Sequence, residues 1–172
     1  MPKILIVDKN DNIIGAEEME VAQKEGLIHR IVRVFIFNSQ GKLFLQKRSS
    51  GVQTFPNRWD QSVGGHVDEG EDYYDAAIRE TKEELGVEGI ELKEIIKFYH
   101  EEQIGNKILK RFNMLYGGVY DGKLTLNKLE VSGGRWFKLQ ELEALINKNP
   151  DDFTPAFIET YKRYKKIKSS RP

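Results

Sequence analysis

One stretch constrains this chain more than any other: GHVDEGEDYYDAAIRETKEELGV, from Gly65 to Val87. Its glycines, glutamates and arginine follow G-x5-E-x7-R-E-x-x-E-E-x-G. A turn rich in glycine and acids feeds a helix of about four turns. Asp72 is the expected N-cap, Asp75 adds an acid near the positive end of the dipole, and Gly86 is the expected stop. At about 100° per residue, Tyr74, Ile78, Thr81 and Leu85 share a face, expected to pack on a sheet. Glu80, Glu83 and Glu84 fall within an arc of roughly 100°, beside the small residues Ala76 and Ala77.

Three carboxylates so close repel one another unless a cation sits among them. Hard divalent ions such as Mg²⁺ prefer oxygen clusters of this kind, above all where phosphates complete the shell. Arg79 follows Glu71 by eight residues and is placed to clamp the turn to the helix and orient Glu80. A helix rich in Glu and Lys is ordinarily a solvated face. Seven residue types fixed at set spacing match by chance on the order of once in 10⁸ windows, which favours a metal site.

The stretch from Gly65 to Val87 resembles the signature of the Nudix hydrolases. Over roughly residues 3 to 165, LIHRIVRVFIFNSQGKLFLQKRS, FPNRWDQSVGGH and DDFTP are similar to the branch that contains isopentenyl-diphosphate isomerases and their hydrolase-like relatives. The resemblance implies an α/β chain folded as an α/β/α sandwich around a central mixed sheet. It implies hydrolysis of a phosphoanhydride in a small diphosphate substrate, a nucleoside diphosphate derivative, with Mg²⁺ or Mn²⁺ as cofactor. Glu80, Glu83 and Glu84 would hold the metal, joined by the Gly64 carbonyl, with Arg79 and Glu71 supporting catalysis. The proton would go to Glu80, Glu83 or Glu130, the last a further candidate ligand. Arg48 would face the substrate's phosphates. A homodimer is also in keeping with the family.

Two rival readings share the fold. His29 and His66 match histidines that bind metal in the isomerase, and both are candidate substrate contacts here. Against the isomerase, Gly64 stands where it uses a cysteine, and Leu109-Lys110-Arg111 where it uses an E-x-E pair. Glu80, Glu83 and Glu84 are all kept, which also weighs against a non-catalytic nucleotide- or RNA-binding module.

At 172 residues the chain is expected to form one domain. Residues 1–26 would make a hairpin and short helix, 27–149 the core, and 150–172 a final helix with a basic tail. Lys plus Arg equals Asp plus Glu, 27 each, so no global field favours nucleic acid. Without cysteine there is no disulfide, thiolate chemistry or cysteine-bound zinc. The start lacks the apolar run of a signal peptide, and no stretch is apolar enough to span a bilayer. A cytoplasmic protein is expected.

Along the chain, Ile4–Val7 and Ile13-Ile14 flank the turn-rich Lys9–Asn12 and read as a hairpin; Glu17–Lys24 reads as a helix ending at Gly26. Leu27–Phe37 is a strand with His29, Ile31, Arg33, Phe35 and Phe37 on one face and Arg30, Val32, Val34 and Ile36 on the other. Lys42–Arg48 returns, aiming Phe44, Gln46 and Arg48 one way. Ser49–Gln61 is a loop in which Trp59 either stacks on a substrate ring or plugs an apolar gap. Strands are expected over Ile90–Gln103, Lys107–Tyr120 and Leu124–Leu126, then a helix over Gln140–Lys148 and another from Thr154-Pro155.

Overall fold

The computed structural model describes residues 2–170; Met1 and the tail's last residues, Arg171 and Pro172, lie outside the described residues. Strands β1 (Ile4–Val7) and β2 (Ile13–Glu17) form the expected antiparallel hairpin. The Asp8 carboxylate accepts from the Asn10 and Asn12 amides at 2.8 and 2.9 Å and so fixes the turn. Helix α1 (Met19–Glu25) ends at Gly26, whose φ of 65° lets the chain leave in the left-handed conformation.

Strand β3 (His29–Phe37) is the hub. It runs parallel to β8 (Lys107–Val119) in unbroken register from His29 opposite Arg111 to Phe37 opposite Val119. Along its other edge it meets β1, β6 (Val63–His66) and β4 (Leu43–Arg48), all antiparallel. β4 pairs with β5 (Trp59–Asp60) and β9 (Val131–Phe137), and β7 (Lys93–Ile104) pairs with β8, which among the described residues completes a nine-stranded mixed sheet.

Alternation along β3 builds two cores. Val32, Val34 and Ile36 pack with Phe44, Val63 and Leu85 under α2 (Tyr73–Leu85). Phe35 packs on the other face with Leu45, Phe137 and Leu142, beneath α3 (Leu139–Lys148) and α4 (Pro155–Ser170), whose Phe157 and Tyr161 join it. The result is an α/β/α sandwich. Among the described residues no helix is long and apolar enough to cross a membrane.

Three expectations need correction. Leu124–Leu126 is not a strand. Thr125 and Asn127 donate their amides to the Leu85 and Glu84 carbonyls at 2.8 and 3.0 Å, closing the end of α2. Tyr74 is 42% exposed and stacks edge-on with Tyr116; the expected Thr81 and Leu85 are buried and Ile78 packs on the core, but the stripe continues through Tyr73, Ala76, Ala77 and Glu84. The 49–61 loop carries the short strand β5.

Candidate active site

The site starts from how α2 is seated. Asp72 caps it, accepting from the Asp75 amide at 2.9 Å, and Gly86 ends it in the left-handed region at φ 67°. The short side chains of Ala76 and Ala77, both fully buried, let the helix lie close to the sheet. That rotation turns Glu84 inward, where only 5% of the residue stays exposed. Its carboxylate accepts from the Gln46 side-chain amide at 2.7 Å and has no ion pair among the described residues.

Glu80 lies over β6. A Cβ built on Gly65 would fall inside the Glu80 carboxyl group, so only glycine lets that side chain rest against the strand. Gly65→Ala is therefore expected to push Glu80 aside. Turnover should drop about tenfold with a stability change near 1 kcal/mol, read by steady-state kinetics and urea melts.

Arg79 is the node of the turn. It donates to Glu71 Oε1 and Oε2 at 2.6 and 3.1 Å, to Glu80 at 2.7 Å, to Glu83 at 3.3 Å and to the His66 carbonyl at 3.0 Å. Its charge stays locked on, raised further by the Glu71 hydrogen bonds. Glu71 in turn accepts from the Asp68 amide at 2.8 Å, so the turn and the helix move as one piece.

Burial pushes the Glu80 carboxyl up to about 7, against the pull of Arg79 and with help from Glu83 and Glu130. Glu84 is driven well above the usual carboxylate range, first by burial, then by the charge of Glu80. Two desolvated carboxyls side by side, one with only a neutral amide for company, are a donor set suited to a hard divalent cation. Among the described residues no three acidic or imidazole groups converge as a ligand shell, because Arg79 draws Glu80 and Glu83 to itself. Glu83 would have to swing inward from a side chain that is 55% exposed.

The remaining candidates divide by face. Glu130 is exposed, and its charge reaches both Glu80 and Glu84. Arg48 donates to Asp60 at 3.3 Å and to the Thr54 carbonyl at 3.0 Å. Trp59 does not join them: it pairs with Lys47, so it points to the α3–α4 side and packs edge-on to Phe137. There Trp59 packs with the apolar residues under α3 and α4 and stays half-buried. Gly64, one residue from Gly65, turns away from Glu80 toward Arg33 and Gln61. The His66 and His29 rings lie on that opposite face, stacked 5.4 Å apart. Burial keeps both neutral, His29 held down to about 4 and His66 to about 3.

Sequence reasoning missed Gln46 as the partner of Glu84, and Arg33, Arg111 and Asp60 as buried polar groups. Arg33 carried a readable signal: an arginine inside an otherwise apolar strand must be paired or useful.

A model of the NUDIX domain matches residues 27–157. An isopentenyl-diphosphate Delta-isomerase from Serratia proteamaculans is 33% identical over 160 residues, covering 92% of this chain and 89% of its own. An uncharacterized Nudix hydrolase of Pseudomonas aeruginosa is 34% identical over 132 residues, covering 77% and 76%. The crystal structure of DR0079 from Deinococcus radiodurans superposes with a TM-score of 0.71 at 32% identity, covering 85% of this chain and 89% of that one. The matched domain and these long likenesses show that the chain belongs to the NUDIX family, in the branch it shares with the isopentenyl-diphosphate isomerases.

Proposed function

We propose that this protein hydrolyses a phosphoanhydride bond in a diphosphate-linked small molecule, a nucleoside diphosphate derivative, with Mg²⁺ or Mn²⁺ as cofactor. The observation that carries this reading is the pair Glu80–Glu84. Glu84 is buried with no cation on it among the described residues, and Glu80, one turn before it and half-buried, rests against Gly65 and acts on it by its charge. Glu80, Glu83 and Glu84, with the Gly64 carbonyl, would hold the ion. Such an ion neutralises phosphoryl charge and acidifies a bound water.

The chain's own groups do the rest. Gln46 fixes the Glu84 carboxylate, and Glu71 fixes Arg79, which sets the angle of Glu80. The proton leaving water goes to whichever of Glu80, Glu83 and Glu130 is not engaged by the cation. Arg48, on the same face as Gln46, is placed to meet substrate phosphate once it releases Asp60.

The His29–His66 stack and the Serratia relative's name favour a second reading, isomerisation of isopentenyl diphosphate. Two features oppose it: Gly64 offers no side chain to move a proton, and Arg111 stands in register with His29 on the later strand. The test is a panel of nucleoside triphosphates, sugar nucleotides, dinucleotides and isoprenoid diphosphates, with Mg²⁺. Cleavage of a nucleotide class is the expected result. Double-bond migration in isopentenyl diphosphate without cleavage would install the isomerase instead. Tight binding without turnover of any compound would make the protein a sensor.

A further inference from the structure

On the face of β6 that turns away from Glu80, Arg33 and Arg111 sit in a buried polar nest with an unbalanced charge. The acids whose charge reaches Arg33 are Asp60 and Glu102, and Arg48 adds a further cation from its half-buried place on Asp60. Asp60 is already engaged by Arg48, Thr154 and Gln61, and Glu102 by Arg111. Arg33 is left without an ion pair among the described residues. Its one side-chain bond is a donation from Nε to the neutral Asn113 at 3.3 Å, although the residue is only 8% exposed. A guanidinium held at that depth without a carboxylate of its own is costly.

The nest also holds unmet acceptors. His29 Nδ1 lies 3.0 Å from the Leu27 carbonyl, and a carbonyl can only accept, so the proton sits on Nδ1 and the buried Nε2 is a bare lone pair. His66 Nε2 and Glu102 Oε1 are likewise buried without partners, and so is the Arg111 Nε donor. Paired donors and acceptors call for a ligand that has both anionic oxygens and an acidic hydroxyl. Hydrogen phosphate has both at neutral pH, and a phosphate monoester has both once it is singly protonated, below about pH 6; sulfate has only the first.

We propose that Arg33 and Arg111, with the His29 Nε2 lone pair and the His66 ring stacked on it, form a second site that takes a singly protonated phosphate group. The site goes beyond the hydrolase reading and does not depend on it. The guanidiniums receive the anionic oxygens, and an imidazole Nε2 accepts the P–OH. Gly64 allows this, since a Cβ there would press to 3.3 Å from Arg33 Nη1 and 3.4 Å from Gln61 Nε2.

The test is calorimetric titration of the metal-free, full-length protein with inorganic phosphate and with sulfate. Phosphate is expected to bind at one site at least tenfold tighter than sulfate. Arg33→Met should weaken phosphate at least tenfold, with Arg33→Lys intermediate. A Lys162→Gln, Lys165→Gln, Lys166→Gln variant of the basic α4 surface should bind as the parent does. Equal binding of the two anions, no saturable phosphate binding, full binding by Arg33→Met, or loss in the α4 variant would each overturn the site. The anion comparison needs no variant, so it stands even where Arg33→Met fails to fold. A raised KM in Arg33→Met would place the substrate's own phosphate in the nest; an unchanged KM with phosphate binding lost would assign it to free phosphate. Glu84→Gln should keep phosphate binding whatever becomes of hydrolysis, which separates this inference from the hydrolase reading.

Discussion

Glu84→Gln is expected to lower turnover by about 10³-fold, roughly 4 kcal/mol of transition-state stabilisation, while the protein stays folded. The glutamine keeps the shape of the side chain and an acceptor for the Gln46 amide, which lies 2.7 Å from the carboxylate. What it removes is the capacity to become negative in a position that is 5% exposed and has no protein cation beside it. A carboxyl that burial drives toward its neutral form, with no partner to hold its charge, is the feature a metal-dependent site requires and a purely structural glutamate does not. Metal-free Glu84→Gln should therefore melt no lower than the parent. Steady-state kinetics on the best compound of the panel, beside urea melts, decide the matter. Unchanged kcat would remove Glu84 from the machinery, and a large loss of stability with the loss of rate would make its role structural.

Much of this arrangement could be read from local pattern. The β1–β2 hairpin, the two faces of β3 and the caps of α2 depend on neighbours within a few residues, and there the sequence reading and the structure coincide. The spacing of the glycines, Arg79 and the glutamates likewise marks a short turn and one helix. The buried stripe of α2 was legible only in part: Thr81 and Leu85 were read on it, but Ala76, Ala77 and Glu84 carry too little apolar signal to displace Tyr74. Which stripe faces the sheet was settled by how closely Ala76 and Ala77 let the helix approach. Leu124–Leu126 misled for a similar reason: its alternation is that of a strand, yet its neighbours' amides are spent on α2 carbonyls. Arg33 meets Asn113 only because β3 and β8 lie side by side across 80 residues of chain, and no local pattern encodes that meeting.

Glu80→Gln is expected to stabilise the metal-free protein, by an amount that grows as pH rises from about 4.5 and levels near 3 kcal/mol above pH 7. In the folded protein the Glu80 carboxyl titrates at about 7 rather than 4.5, chiefly through burial. Between those values the native state holds a proton that the unfolded chain has released. The parent's stability from this group is whole below the lower value and is lost as pH climbs through the upper one. Glutamine mimics the protonated form at every pH and escapes the loss. His29 and His66 work in the opposite sense, since burial keeps them neutral while the unfolded chain protonates them below about 6.5, but they are shared by both proteins and cancel in the difference. Urea melts at pH 5, 6 and 7.5 in chelator give the curve. In saturating Mg²⁺ the order should invert at pH 7.5, because the cation takes the place of the proton on Glu80 and glutamine gives it no charge to hold. A difference that stays flat with pH, or one that Mg²⁺ leaves untouched, would mean that Arg79 alone answers the charge of Glu80 and that no metal is held there.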